Sequence, residues 1–189
     1  MQMPHPRNIK ELQAFLGKIN FLRRFIPNLA ELSRLLNNML KKDSKVKWTV
    51  EANQAFEGIK FALTQTPVLT NPQFDREFII FSFASQHTIV VVLLQKDDQG
   101  NEKPIAFFSK ALRDAPLKYQ IMEKQAYALV KAIKDFRIYI LYSHIIAYVP
   151  SPIVKDILTQ ENLEGRRGKW IANTDQVKTW KYSRGQVKK

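Results

Sequence analysis

The apolar pattern of this chain changes period once, near Leu69–Asp75 (LTNPQFD), and that switch limits the fold more than any other feature. Before it the spacing is helical. Ile9, Leu12, Leu16, Ile19, Leu22 and Ile26 recur every three or four residues, widened by Phe15 and Phe25, which predicts a helix over residues 8–26. Asn8 and Glu11 stand in the relation of a capping pair, and Pro27 breaks the run. Asn28 and Glu31 repeat that pairing ahead of Leu29, Leu32, Leu35, Leu36 and Met39. A third helix is expected after Thr49, with Ala52, Ala55, Phe56, Ile59, Ala62 and Leu63 on one side, ending at Pro67.

Beyond the switch the apolar runs are short and β-branched. Glu77–Phe83, Thr88–Gln95 and Lys103–Ser109 are predicted strands, the last two joined by the turn sequence Asp97–Asn101 (DDQGN). A long helix from Tyr119 to Leu141, a strand at His144–Val149 and a helix at Ile153–Gln160 follow. The fold class is therefore α+β. A small helical module (residues 1–70) precedes an α/β module (residues 71–160) of order β-β-β-α-β-α with an open, mixed sheet. From Glu161 the periodicity fades, so residues 161–189 are expected to form a basic, mostly disordered tail.

Charge narrows the choice of partner. Thirty Lys and Arg against 17 Asp and Glu give +13, concentrated in the first 70 residues and in the last 29. Such an excess points to a polyanion, in the first place nucleic acid. The chain has no cysteine, which excludes disulfides, thiolate metal sites and cysteine nucleophiles. Its three histidines (His5, His87, His144) show no metal-ligand spacing. No apolar run is long enough to span a bilayer, and the start, MQMPHPRN, lacks the apolar core of a signal peptide. These features predict an intracellular protein, cytoplasmic or nuclear, with no membrane partner.

The stretch NIKELQAFLGKINFLRRFIPNL resembles the thumb of gypsy-type retroelement reverse transcriptases, and KWTVEANQAFEGIKFALTQTPVL resembles the connecting segment after it. FIIFSFASQHTIVVVLLQ, PIAFFSKAL and YQIMEKQAYALVKAIKDFRIYI resemble, in order, their RNase H-like domain. The likeness covers about residues 4–160 and implies a fragment of a Pol polyprotein of plant-like lineage. It also implies that the family's fifth strand and closing helix are missing after Trp170, leaving an open sheet edge.

RNase H chemistry needs carboxylates that hold two Mg²⁺ about 4 Å apart. Where the family has T-D-A-S, this chain has Ser82-Phe83-Ala84-Ser85. Where it has E-K-E-A, this chain has Glu123-Lys124-Gln125-Ala126, and for T-D-H-K it has Val149-Pro150-Ser151-Pro152. The resemblance thus implies that Phe83, Gln125 and Pro150 stand at three ligand positions. No catalytic residue, metal ligand or cofactor is expected, and Mg²⁺ would matter only for a working nuclease. Phe83 is expected to fill the vacated cleft.

The same likeness implies a duplex partner, an RNA–DNA or DNA template–primer, together with the remaining polymerase domains of the polyprotein. Gln13, Gly17 and Phe21, spaced i, i+4, i+8, form one line on the first helix, as a Gln, a Gly and an aromatic do in retroviral thumbs that track the minor groove. Lys10, Lys18, Arg23 and Arg24 would reach phosphates beside it. In the tail, Arg166, Arg167 and Lys169 could contact phosphates and Trp170 could stack on bases. Two other readings compete: an active ribonuclease H cutting RNA in RNA–DNA hybrids, and a decayed or domesticated fragment serving as a protein–protein scaffold.

Overall fold

The structure, a computed structural model, describes residues 4–40, 47–160, 170, 174 and 177–182. Helix α1 (Ile9–Phe21) starts where the side chain of Asn8 accepts from the Glu11 N–H at 2.9 Å, and buries Leu12, Phe15, Leu16 and Ile19. It ends earlier than its apolar stripe, and residues 22–26 continue as turns that still bury Ile26. The next predicted helix is divided at Ser33 into α2 (Leu29–Leu32) and α3 (Arg34–Met39). Asn28 is no side-chain cap: it sits in the left-handed region at φ 52°, which Asn tolerates better than most residues. Helix α4 (Val50–Thr64) is capped by the Thr49 hydroxyl, which accepts from the Ala52 N–H at 3.2 Å. Leu12, Ile26, Leu36, Phe56 and Ile59 are fully buried together, so these helices own a core.

The strands are β1 (Phe78–Ala84), β2 (Thr88–Lys96), β3 (Glu102–Ala111), β4 (Ile145–Val149) and β5 (Val177–Tyr182). They form one mixed sheet of order β3-β2-β1-β4-β5. The first three pair antiparallel as a meander, while β4 runs parallel to β1 and β5 parallel to β4. Asp97 sets the β2–β3 turn, its carboxylate accepting from the N–H groups of Gln99 and Asn101, and Gly100 supplies the left-handed residue at φ 82°. Short α5 (Asp114–Leu117) leads to α6 (Ile121–Asp135), α7 (Arg137–Ile140) follows, and α8 (Pro152–Thr159) comes after β4. Helix α6 packs its Ala126, Leu129, Val130 and Ile133 side on Phe78, Ile80, Ile89, Val91 and Ala147 of the sheet.

Two expectations are corrected here. The sheet has its fifth strand, so the edge beside β4 is covered. And the segment after Glu161 is not without order, because β5 pairs along β4 and Trp170 is buried at 6% exposure. A register shift explains why β5 escapes a period-two reading. Ile145 pairs with Val177 but Ile146 pairs with Thr179, so Val177 and Trp180, three apart, both turn inward.

The helical layer docks on the other end of the sheet. Edge strand β3 donates from Phe107 N to Arg24 O at 2.9 Å, and Ala30 N donates to the Ser109 hydroxyl at 2.9 Å. The Thr88 hydroxyl donates to the Glu31 carboxylate at 3.1 Å. The first of these bonds satisfies a backbone group on the β3 edge, and the other two tie side-chain hydroxyls of the sheet to α2.

Candidate functional site

Two surfaces carry the residues singled out by the sequence. The first is the end of the sheet where β1, β4 and α6 meet. Gln125 lies on the buried side of α6, and its carboxamide makes both available bonds to one residue of β1. It accepts from Ala84 N at 2.7 Å and donates to Ala84 O at 3.0 Å. The neighbouring Lys124, only 4% exposed, donates to Gln86 O at 2.9 Å, so consecutive α6 side chains pin the end of β1 and the turn after it. Pro150 follows β4 directly. The parallel register, Phe81 with Tyr148, continues toward Phe83 and Pro150 on adjacent strands. Phe83 and Pro150 thus stand on neighbouring strands, while Gln125 sits on α6 against Ala84.

Phe83 does not fill a cleft. It is 51% exposed, because β1 turns Phe78, Ile80, Ser82 and Ala84 toward α6 and Phe81 and Phe83 to the opposite face. There Phe81 stacks on Tyr148 with centroids 4.3 Å apart, and Phe83 lies past the end of that stack. Ser82, on the α6 side, is buried with no hydrogen-bond partner for its hydroxyl among the described residues. Ser82→Ala is expected to raise stability by about 1 kcal/mol, because an unmet buried hydroxyl is lost. Thermal melting checks it, with an upward shift of about 2–4 °C.

The site does not suit Mg²⁺. A hard cation needs several oxygen ligands, whereas Phe83 and Pro150 have no side-chain oxygen to offer and both polar ends of Gln125 are engaged. Glu123 is committed to the start of α6, where it accepts from Gln120 N at 3.3 Å. Among the described residues no three Asp, Glu or His gather into a metal-holding group.

The second surface is the outer side of α1. Gln13, Gly17 and Phe21 are all exposed, Phe21 at 83%, in one line along the helix. A Cβ built on Gly17 would meet nothing within 4 Å among the described residues, so this glycine serves no packing contact with them. Lys10 and Lys18 are exposed beside the line. Arg24 has its guanidinium 5.0 Å from the Phe25 ring, and Arg23 reaches back to Asp135 of α6 at 3.7 Å, so Arg23 also ties the two layers together.

Of the residues assigned to the basic tail, Arg166, Arg167 and Lys169 lie outside the described residues. Trp170 is described and corrects its assignment. Its ring packs 5.7 Å from Tyr119 and 5.9 Å from Tyr127, within the core, and is not offered to a base.

Residues 48–147 match the family model for the RNase H-like domain found in reverse transcriptase. The chain belongs to that family. The match includes α4 and the positions of Phe83 and Gln125. The RNase H-like chain is 39% identical over 140 residues to the Transposon Tf2-3 and Tf2-4 polyproteins of Schizosaccharomyces pombe (strain 972), which covers 74% of this chain. It spans about a tenth of the length of those relatives, the covered share being 10%.

Solved structures agree on the fold. A foamy viral protease-reverse transcriptase (dRH) in complex with double-stranded DNA superposes with a TM-score of 0.77 at 25% identity, over 97% of this chain and 33% of that one. The foamy viral protease-reverse transcriptase in complex with RNA/DNA hybrid gives 0.77 at 26% identity, over 97% and 26%. The RNase H-like chain is thus a retroelement reverse-transcriptase segment with a five-stranded mixed sheet. Among the described residues no helix is long and apolar enough to cross a membrane.

Sequence reasoning overlooked a group of basic residues at the layer junction, on α3, β3 and α6. The available signal was the i, i+3 pair Lys131 and Lys134 on a helix otherwise selected for its buried face.

Proposed function

We propose that this chain is a catalytically silent RNase H-like module with an attached thumb, which holds a template–primer duplex for the polymerase domains of a gypsy-type, plant-like Pol polyprotein. The division into a thumb with its connecting segment (1–70) and an RNase H-like domain (71–160) is part of the reading, supported by two separate apolar cores. So is an intracellular site of action.

The observation that carries the binding half is the uncovered line Gln13–Gly17–Phe21 on α1. Gly allows a close backbone approach to a duplex, Gln can bond to groove acceptors, and an aromatic edge can pack on sugars. Lys10, Lys18 and Arg24 are placed to meet phosphates along it. That the foamy viral relatives are complexed with double-stranded DNA and RNA/DNA hybrid supports the same partner. The silent half is supported by the residues themselves: at Phe83, Gln125 and Pro150 there is no carboxylate to bring two cations together.

Gly17→Leu tests the binding half. The variant is expected to fold as the wild type does, since its side chain enters open space. It should lose roughly tenfold or more in affinity for an RNA–DNA or DNA duplex, measured by anisotropy. A folded variant that binds as well as wild type overturns the groove reading. Incubation with a labelled RNA–DNA hybrid and Mg²⁺ or Mn²⁺ tests the silent half. Metal-dependent cleavage that co-purifies with the chain would overturn it and favour an active ribonuclease H.

A further inference from the structure

Between the helical layer and the sheet lies a cavity of about 600 Å³. Its walls come from α1 and α3 on one side and from β3, the loop after it and α6 on the other. The charges facing it are strongly one-sided. Arg34 enters from α3, Lys110 and Arg113 from the end of β3, and Lys131 and Lys134 from α6. One lining residue, Asp135, is acidic, and Arg23 already holds it at 3.7 Å. Arg34 pairs with Glu31 at 2.9 Å, but Lys110, Arg113, Lys131 and Lys134 have no carboxylate within ion-pair distance among the described residues. Burial, and then the repulsion of Lys110 and Lys134, holds the Lys131 ammonium below the usual lysine pKa. A fold that gathers like charges in a recess gains from an anion placed among them.

The other lining groups indicate which anion. Asn20 and Asn38 present carboxamides, which bond to base edges as well as to phosphates, while the Asn37 amide already donates to Ser33 O at 2.9 Å. Leu16, Phe108 and Leu112 give an apolar floor. The volume falls in the range of a small-ligand pocket, room for a nucleotide or two and too little for a duplex. Asn20 follows Gln13 by seven residues, two turns along the same side of α1, so the mouth of the cleft continues the exposed line.

We propose that this junction cleft is a binding site for a single nucleic-acid strand, with Lys110, Arg113, Lys131 and Lys134 taking its phosphates and the asparagines meeting its bases. The source of that strand, a template or primer end leaving a duplex on α1, rests on the function proposed above. The site itself does not.

The test uses the full chain, a 12-nucleotide single strand of thymidines, and a DNA duplex of the same length, titrated in parallel across salt concentrations. The triple variant Lys110→Gln, Lys131→Gln, Lys134→Gln should bind the single strand at least tenfold more weakly. Its slope of log affinity against log salt should be shallower by about 2, since each lost phosphate contact on a single strand removes roughly 0.7. Its duplex affinity should stay within about twofold. Gly17→Leu should do the reverse, so failure of the duplex reading and failure of this one give different results. Should the triple variant melt early, Lys110→Gln alone replaces it, and acetylation footprinting of the wild type should show the strand shielding Lys110, Lys131 and Lys134.

Three results overturn the proposal. The first is a folded variant with unchanged single-strand affinity and slope. The second is an equal loss of duplex and single-strand binding. The third is displacement of the strand by inorganic tripolyphosphate at equal phosphate concentration, which would reduce the cleft to a simple anion site.

Discussion

Gln125→Glu should destabilise the protein by about 3 kcal/mol at pH 7, although the resemblance to RNase H motifs implies an acidic residue at that position. The wild-type amide serves the N–H and the C=O of Ala84 together, at 2.7 and 3.0 Å, in a site where Gln125 is 4% exposed. A carboxylate keeps the first bond, loses the second, and sets its charge against the Ala84 carbonyl oxygen. A buried acceptor without a donor and a buried charge without a counter-ion each carry a penalty of this order.

The variant should also depend on pH in a defined direction. Burial and the Ala84 carbonyl favour the neutral acid, so its folded pKa lies above the unfolded value of about 4.3. Between those values the native state holds a proton that the unfolded state has released, and stability falls as pH rises. Denaturant melts of variant and wild type should therefore differ most at pH 7 and converge toward pH 5. A difference that stays constant across that range would mean that the new carboxyl is solvated. No nuclease activity should accompany the change, because Phe83 and Pro150 still offer no ligand.

The second large effect belongs to the segment beyond residue 160. Trp170→Ala should cost about 3–5 kcal/mol, the usual range for removing a buried large aromatic, since its ring is packed against Tyr119 and Tyr127. Removing residues 161–189 should do more. It takes away Trp170 and β5 together and leaves the N–H and C=O groups of β4 unpaired along a hydrophobic strand. The shortened chain is expected to run as oligomers or aggregates in size-exclusion chromatography. A monomer of wild-type melting temperature would show that β5 adds little. The same deletion is thus unsuitable for measuring what the basic residues of that segment contribute to nucleic-acid binding.

Element type was legible wherever one face of a segment is buried, because burial on one face forces a period on the sequence. The stripe Leu12–Phe15–Leu16–Ile19, the meander through Asp97–Asn101 and the Ala126–Leu129–Val130–Ile133 face of α6 were all readable for this reason. Helix ends were less so. Ile26 is buried although α1 stops at Phe21, since a turn can point an apolar residue inward as well as a helix can. β5 was not legible. It buries Val177 and half-buries Trp180, and only the register shift against β4 makes residues three apart face the same way. A tryptophan among lysines reads alike whether it stacks on a base or closes a core.

The candidate sites divide in the same way. By itself the sequence determined the helical line of Gln13, Gly17 and Phe21, because three positions on one helix are related by helix geometry alone. It also determined the residue types at positions 83, 125 and 150. Only the tertiary structure decided that the line is uncovered, that Gln125 clasps Ala84, and that Phe83 faces away from α6. It likewise gathered Arg34, Lys110, Arg113, Lys131 and Lys134, spread over 101 positions of chain, into one recess. Exposure, pairing and the meeting of charges depend on which surfaces pack together. Packing is a property of contacts between distant segments, and no local period in the sequence records it.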